Sequence, residues 1–160
     1  MPTASVSHVF NDLSYSPSAS GSNHFIDLLN FEASFSDLIA AFGNNQKAMQ
    51  SWYNTYEPVE HRVANFNGLD YIASYGDLIA GFKAGTLSQV EDSGAFHYIN
   101  NGIHENRTTS FNGLDYIASY SDLIKGYGTN SDAGAFHYIE NGVNEQPVSM
   151  ACPILPNTQT

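Results

Sequence analysis

Along residues 66–83 the apolar positions fall at intervals of three and four: Leu69, Ile72, Tyr75, Leu78, Ile79 and Phe82. That spacing is the period of one helix face. It predicts two short helices, near 68–74 and 77–83, that share an apolar side. Asn67 is placed to cap the first, with Asp70 in the capping-box position three residues on, where a carboxylate also suits the positive end of the helix dipole. Gly76, immediately before Asp77, reads as a fresh cap opening the second. A third helix near 93–100 opens after Asp92 or Ser93, carries Phe96 and Ile99 on one side, and stops at Asn101-Gly102.

The same pattern returns. Phe66-Asn-Gly-Leu-Asp-Tyr-Ile-Ala-Ser-Tyr75 recurs unchanged at 111–120, an offset of 45, and both copies continue with Asp-Leu-Ile. Gly-Ala-Phe-His-Tyr-Ile then occurs at 94–99 and again at 134–139, where the offset is 40. The earlier copy therefore holds five extra residues within 83–92, which reads as a surface loop that tolerates insertion. A worn copy precedes both: residues 29–39 match 69–79, Trp52 stands where His97 stands, and Glu60-His61-Arg62 answers Glu105-Asn106-Arg107. Asp37, Asp77 and Asp122 are then equivalent, and each is expected in the first turn of a helix.

Helices this short are marginal alone, since isolated helices under about 12–15 residues barely form in water. They must bury their apolar sides on neighbours. The expected fold is all-α: three tandem irregular helical repeats of about three short helices each, stacked as a short solenoid-like domain. The repeats are 26–65, 66–110 and 111–149, between a Ser-rich extended head, 1–25, and a Pro-containing tail, 150–160. The worn first repeat suits the capping role that terminal units play in such stacks.

Composition narrows the function. With five Lys and Arg against sixteen Asp and Glu, the chain carries a formal charge of −11. Nucleic acid and anionic membrane surfaces are disfavoured partners, because binding them rests on Lys and Arg meeting phosphate. No apolar run approaches the ~20 residues of a membrane span, and no basic and apolar leader opens the sequence. The lone Cys152 excludes an intramolecular disulfide.

The pattern of the decapeptide, Asp-Leu-Ile, and then Gly-Ala-Phe-His-Tyr-Ile-x-Asn-Gly-x-x-Glu resembles a bacterial repeat with tyrosine–leucine, proline–aspartate, histidine–tyrosine and glycine–glutamate–glycine–arginine landmarks. The resemblance covers roughly residues 26–149. It implies an accessory module of large secreted or surface-associated proteins, some with calcium-binding repeats or protease domains, and of some polysaccharide-related glycosyltransferases. Departures are Gly76, Ser121 and Ser36 in place of Pro, Trp52 in place of His, and Pro147 where Arg would end the third unit. The head is also similar to the start of serralysin-type zinc proteases. Their His-Glu-x-x-His helix is absent, so no catalysis carries over.

Five side chains are candidates for ligand binding: His97, His137, Trp52, Tyr71 and Tyr116. Imidazoles repeated along a stack can ligate a metal, but one His per layer also satisfies a buried backbone carbonyl, and Trp52 keeps the bulk without ligand ability. His104-Glu105 adds two donors near His97, yet Asn144 replaces His104 in the third repeat, and no metal or cofactor is expected. Tyr71 and Tyr116 precede the apolar Ile72 and Ile117 and are read as pointing away from the main face, where rings can stack on a glycan. The Asp residues lack a calcium-loop pattern and sit where helix starts favour anions. No nucleophile elbow or phosphate loop occurs.

The expected function is therefore a non-enzymatic structural or interaction module of an exported or surface-associated bacterial protein, with a protein or glycan partner. The alternative is a protein that binds a glycan, small molecule or metal in the groove between adjacent repeats. A catalytic site between repeats, without a linear motif, is a third reading.

Overall fold

The computed structural model describes residues 27–43 and 45–145; the expected head and tail, with Cys152, lie outside them. The described residues are all-helical, without strands. Three helices fall in each segment: α1 (Leu28–Ala33), α2 (Ser36–Phe42) and α3 (Gln46–Glu60); α4 (Gly68–Ala73), α5 (Gly76–Phe82) and α6 (Leu87–His97); α7 (Gly113–Ala118), α8 (Ser121–Tyr127) and α9 (Ser131–Glu140). No described helix is long and apolar enough to cross a membrane.

The caps explain the short lengths. Asn67 accepts from the N–H groups of Leu69 and Asp70, and Asn112 from those of Leu114 and Asp115. Asp27 does the same for α1. Each cap is worth about 0.5–2 kcal/mol by the usual cost of its loss. Asp70 does not close a capping box: its carboxylate accepts from the N–H of Gly113, 3.0 Å away in the next segment. Gly76, Ser36 and Ser121 are not caps either. They are the first helical residues of α5, α2 and α8, following Tyr75, Phe35 and Tyr120, which cap with no side-chain bond. This first position is where helices accept Pro. Asp37, Asp77 and Asp122 all occupy first turns, as expected.

α6 begins six residues before the expected 93. Thr86 and Gln89 form a full capping box, so much of the five-residue insertion is helix rather than loop. Val90, within it, is 1% exposed and belongs to the main apolar cluster. α6 passes into a π-helical turn, Tyr98–Gly102, so the helical run ends at the expected Asn101-Gly102. Gly102 is required by close approach, because a Cβ there would strike the Tyr71 hydroxyl, as one on Gly142 would strike that of Tyr116.

Packing runs across segments. α4 packs on α6 and also on α9; α1 packs on α6, and α7 on α9. Leu69, Ile72, Leu78 and Ile79 are buried together with Ala135 and Ile139 of α9, while Ala33 and Ile39 are buried with Ala95 of α6 and Ile99 of the turn after it. A third cluster, Phe31, Leu38 and Met49, closes the first segment.

Candidate functional site

His97, Tyr71, His137, Tyr116 and Trp52 lie in three matched aromatic groups, one per segment. In the second segment the Tyr71 hydroxyl and Nδ1 of His97 share a hydrogen bond of 3.0 Å, and Tyr98 meets Tyr71 edge-on at 5.3 Å. In the third, Tyr116 and His137 share one of 3.1 Å, with Tyr138 edge-on at 5.3 Å. In the first, Phe31 and Trp52 take the places of the tyrosine and the histidine, with ring centroids 6.5 Å apart and Tyr53 edge-on. The hydroxyl and the imidazole are thus lost together, so neither is left without the other in the first segment.

Tyr71 is fully buried, which corrects the expectation that it points away from the main face. Tyr116, Trp52, His97 and His137 are half-buried. The histidines bond to a phenol rather than to the expected backbone carbonyl. Burial holds His97 below the usual imidazole range, and the nearby Arg107 acts in the same direction; burial also pushes the Tyr71 hydroxyl up to about 12. Both partners are therefore neutral at pH 7. Burial also raises Tyr116 to about 12.

Replacing Tyr71 by Phe should cost about 1–2 kcal/mol and His97 by Ala about 1–3 kcal/mol. The double variant should cost less than the sum by at least about 0.5 kcal/mol, since each change alone strands the other's polar atom. Chemical denaturation of the four proteins checks this; strict additivity would show that the pair does not act as a unit.

Sequence reasoning missed the arginines. Arg107 reaches back to Asp77 at 2.9 Å and to Glu105, and its guanidinium lies 4.8 Å from the centre of the Tyr75 ring. Arg62 repeats this with Asp37, Glu60, Phe35 and Trp52. In both hooks the residue between Glu and Arg has positive φ: 50° at His61 and 54° at Asn106. The recurring Glu-x-Arg was the available signal. Paired this way, Arg107 holds the Asp77 carboxyl below its usual range.

The carboxylates gather elsewhere. Asn30 donates to Glu91 at 2.7 Å and Asn67 to Asp132 at 2.7 Å. Burial raises Glu91 to about 7, with Asp27 and Asp132 adding repulsion, and raises Asp70 and Asp92 to about 6. Among the described residues no group of three or more His, Cys, Asp or Glu is placed to hold a metal ion. His104 and Glu105 are exposed, and Glu105 is engaged by Arg107.

A groove of about 340 Å³ lies between α2 and the turn after α6, with Ile39, Ile99 and Ile103 against Asn100 and His104. None of the five candidate side chains lines it. Comparison with protein-family models, with curated proteins and with solved structures finds no match to this chain.

Proposed function

We propose that this chain is a non-enzymatic structural or interaction module, three helical repeats stacked as a short solenoid, of an exported or surface-associated bacterial protein. The bacterial and exported part of this reading comes from the sequence resemblance. What carries the modular part is the use to which recurring polar side chains are put. Ser34 accepts from the N–H groups of Asn65 and Phe66, and Ser74 likewise from Ser110 and Phe111. Asn30 accepts from Gly68 as Asp70 accepts from Gly113. Each bond ties one segment to the start of the next, so the residues that recur serve joining.

Native mass spectrometry of the purified chain, together with a thermal melt with and without chelator, tests the reading. The expected result is no stoichiometric small molecule or metal and an unchanged melting temperature. A metal or ligand bound only by the folded state would stabilise it by mass action, and its loss would lower the melt.

A second reading, a binder of a glycan or small molecule, is favoured by the groove between α2 and the turn after α6, whose lining mixes apolar Ile39, Ile99 and Ile103 with polar Ser36, Asn100 and His104, a usual make-up of such sites. A bound molecule released by Ile103→Asp would establish it in place of the first.

A further inference from the structure

The third segment keeps the joining groups of the second and, among the described residues, leaves them unused. Leu69, Ala73 and Ile79 are 0%, 6% and 5% exposed beneath Ala135 and Ile139 of α9. Their equivalents are Leu114, Ala118 and Ile124, of which Leu114 is 42% and Ile124 49% exposed, and Ala118 is exposed as well. The polar groups behave alike. Ser119 donates to the Asp115 carbonyl just as Ser74 donates to that of Asp70, but among the described residues no backbone N–H reaches its hydroxyl. The Asp115 carboxylate likewise receives no equivalent of the Gly113 N–H that Asp70 receives.

The opposite end is closed differently. α6 with its π-helical turn presents Ala95 and Ile99, and α9 presents Ala135 and Ile139, to a preceding first helix. At the same register α3 carries Gln50 and Asn54, both exposed and hydrogen-bonded to each other at 3.0 Å. One end of the array is thus polar, and the other repeats a face already used twice within the chain. A second copy of this chain has no free Ala-x-x-x-Ile helix to offer it. At the registers of Arg107, Phe111 and Gly113 the sequence has Pro147, Ala151 and Pro153, and a proline has no N–H to give Asp115.

We propose that the α7–α8 face, Leu114, Ala118 and Ile124 flanked by Asp115 and Ser119, is a docking site for a further helical unit whose seam reads Ala-x-x-x-Ile. The site rests on the stacked-module reading and gives that module a direction, one closed end and one receiving end. The contact is heterologous, so an acceptor face is filled by a donor seam rather than by another acceptor.

The test makes a donor from the chain itself. Gln50→Ala with Asn54→Ile writes the seam onto the exposed side of α3, and Ala118→Glu in the same chain blocks its own acceptor face. Mixed with the unaltered protein, this triple variant is expected to form a complex of two chains, seen as a doubling of mass by light scattering on elution. With an Ala118→Glu acceptor the complex should disappear. Absence of a complex with the unaltered protein overturns the proposal, as does equal binding to both acceptors. So does dimerisation of the unaltered chain that Ala118→Glu abolishes, since the face would then be taken by its own kind. Melting of Ser74→Ala separates this from the stacked reading. A lowered melting temperature without a complex removes only the docking site, whereas an unchanged one removes the stacking itself.

Discussion

Glu32→Ile is expected to stabilise the protein by about 2–3 kcal/mol at pH 8, the usual scale for removing a poorly paired buried carboxylate in favour of an apolar group of similar size. Glu32 is fully buried in α1, at the register that Ile72 and Ile117 fill in the other segments. Its Oε2 accepts from Gln46 at 2.9 Å, while its Oε1 has no partner. Burial pushes its pKa up to about 7, and the Gln46 bond only partly offsets this. A carboxyl whose folded pKa lies above its unfolded one keeps a proton in the folded state that the unfolded chain has released. Stability should therefore fall as pH rises from about 4.5 through 7. Glu91 acts in the same sense. His97, whose pKa is lowered, opposes it only below 6.5. Denaturant midpoints measured from pH 6.5 to 8 should decline in the parent and decline less in Glu32→Ile. Equal slopes would show that Glu32 does not titrate there.

Gly68→Ala should be among the most damaging single changes, about 3 kcal/mol or more, beyond ordinary overpacking because the obstruction is backbone. A Cβ on Gly68 would overlap the Glu91 carbonyl and lie 3.1 Å from the Ala95 nitrogen. No rotamer change can relieve that, so α4 and α6 would have to separate and open the contact shared with α1 and α9. Gly81→Ala, in the last turn of α5 with nothing within 4 Å of its Cβ, should instead stabilise by up to about 0.5–1 kcal/mol through helix propensity. Thermal melts of the two variants give the comparison. A mild effect at Gly68 would mean that the helices approach less closely than described.

Much of this fold is legible in the sequence because its determinants are local. The period of the apolar residues locates α4 and α5, and Asn67 and Asn112 mark helix starts within a residue. The start of α6 was also written locally, as Thr86 and Gln89 at capping-box spacing, but the matching Gly-Ala-Phe-His-Tyr-Ile strings draw attention to its second half. What depends on distant partners was not legible. Arg62 meets an aspartate 25 residues away and Arg107 one 30 residues away, and no window of the sequence joins them. The partner of His97 lies 26 residues off. Its clue was the joint exchange to Phe31 and Trp52, which shows only when two positions are compared at once. Glu32 stood in the place of an isoleucine, a local conflict that marks a functional or strained position more often than a neutral one.

The sharing of α6 between α1 and α4, and of α9 between α4 and α7, makes assembly depend on the order in which the chain leaves the ribosome. α1 is complete early, yet the side chains that cover Ala33 and Ile39 belong to α6 and the turn after it, and Asn30 meets Glu91 only 61 residues later. At roughly 5–20 residues per second, that interval lasts about 3–12 s. Throughout it the first segment presents a bare apolar strip, and the second inherits the same delay while α9 is made. Translation pauses near residues 90–100 would lengthen the exposure and raise the aggregated fraction, whereas faster elongation there would shorten it without changing the final structure.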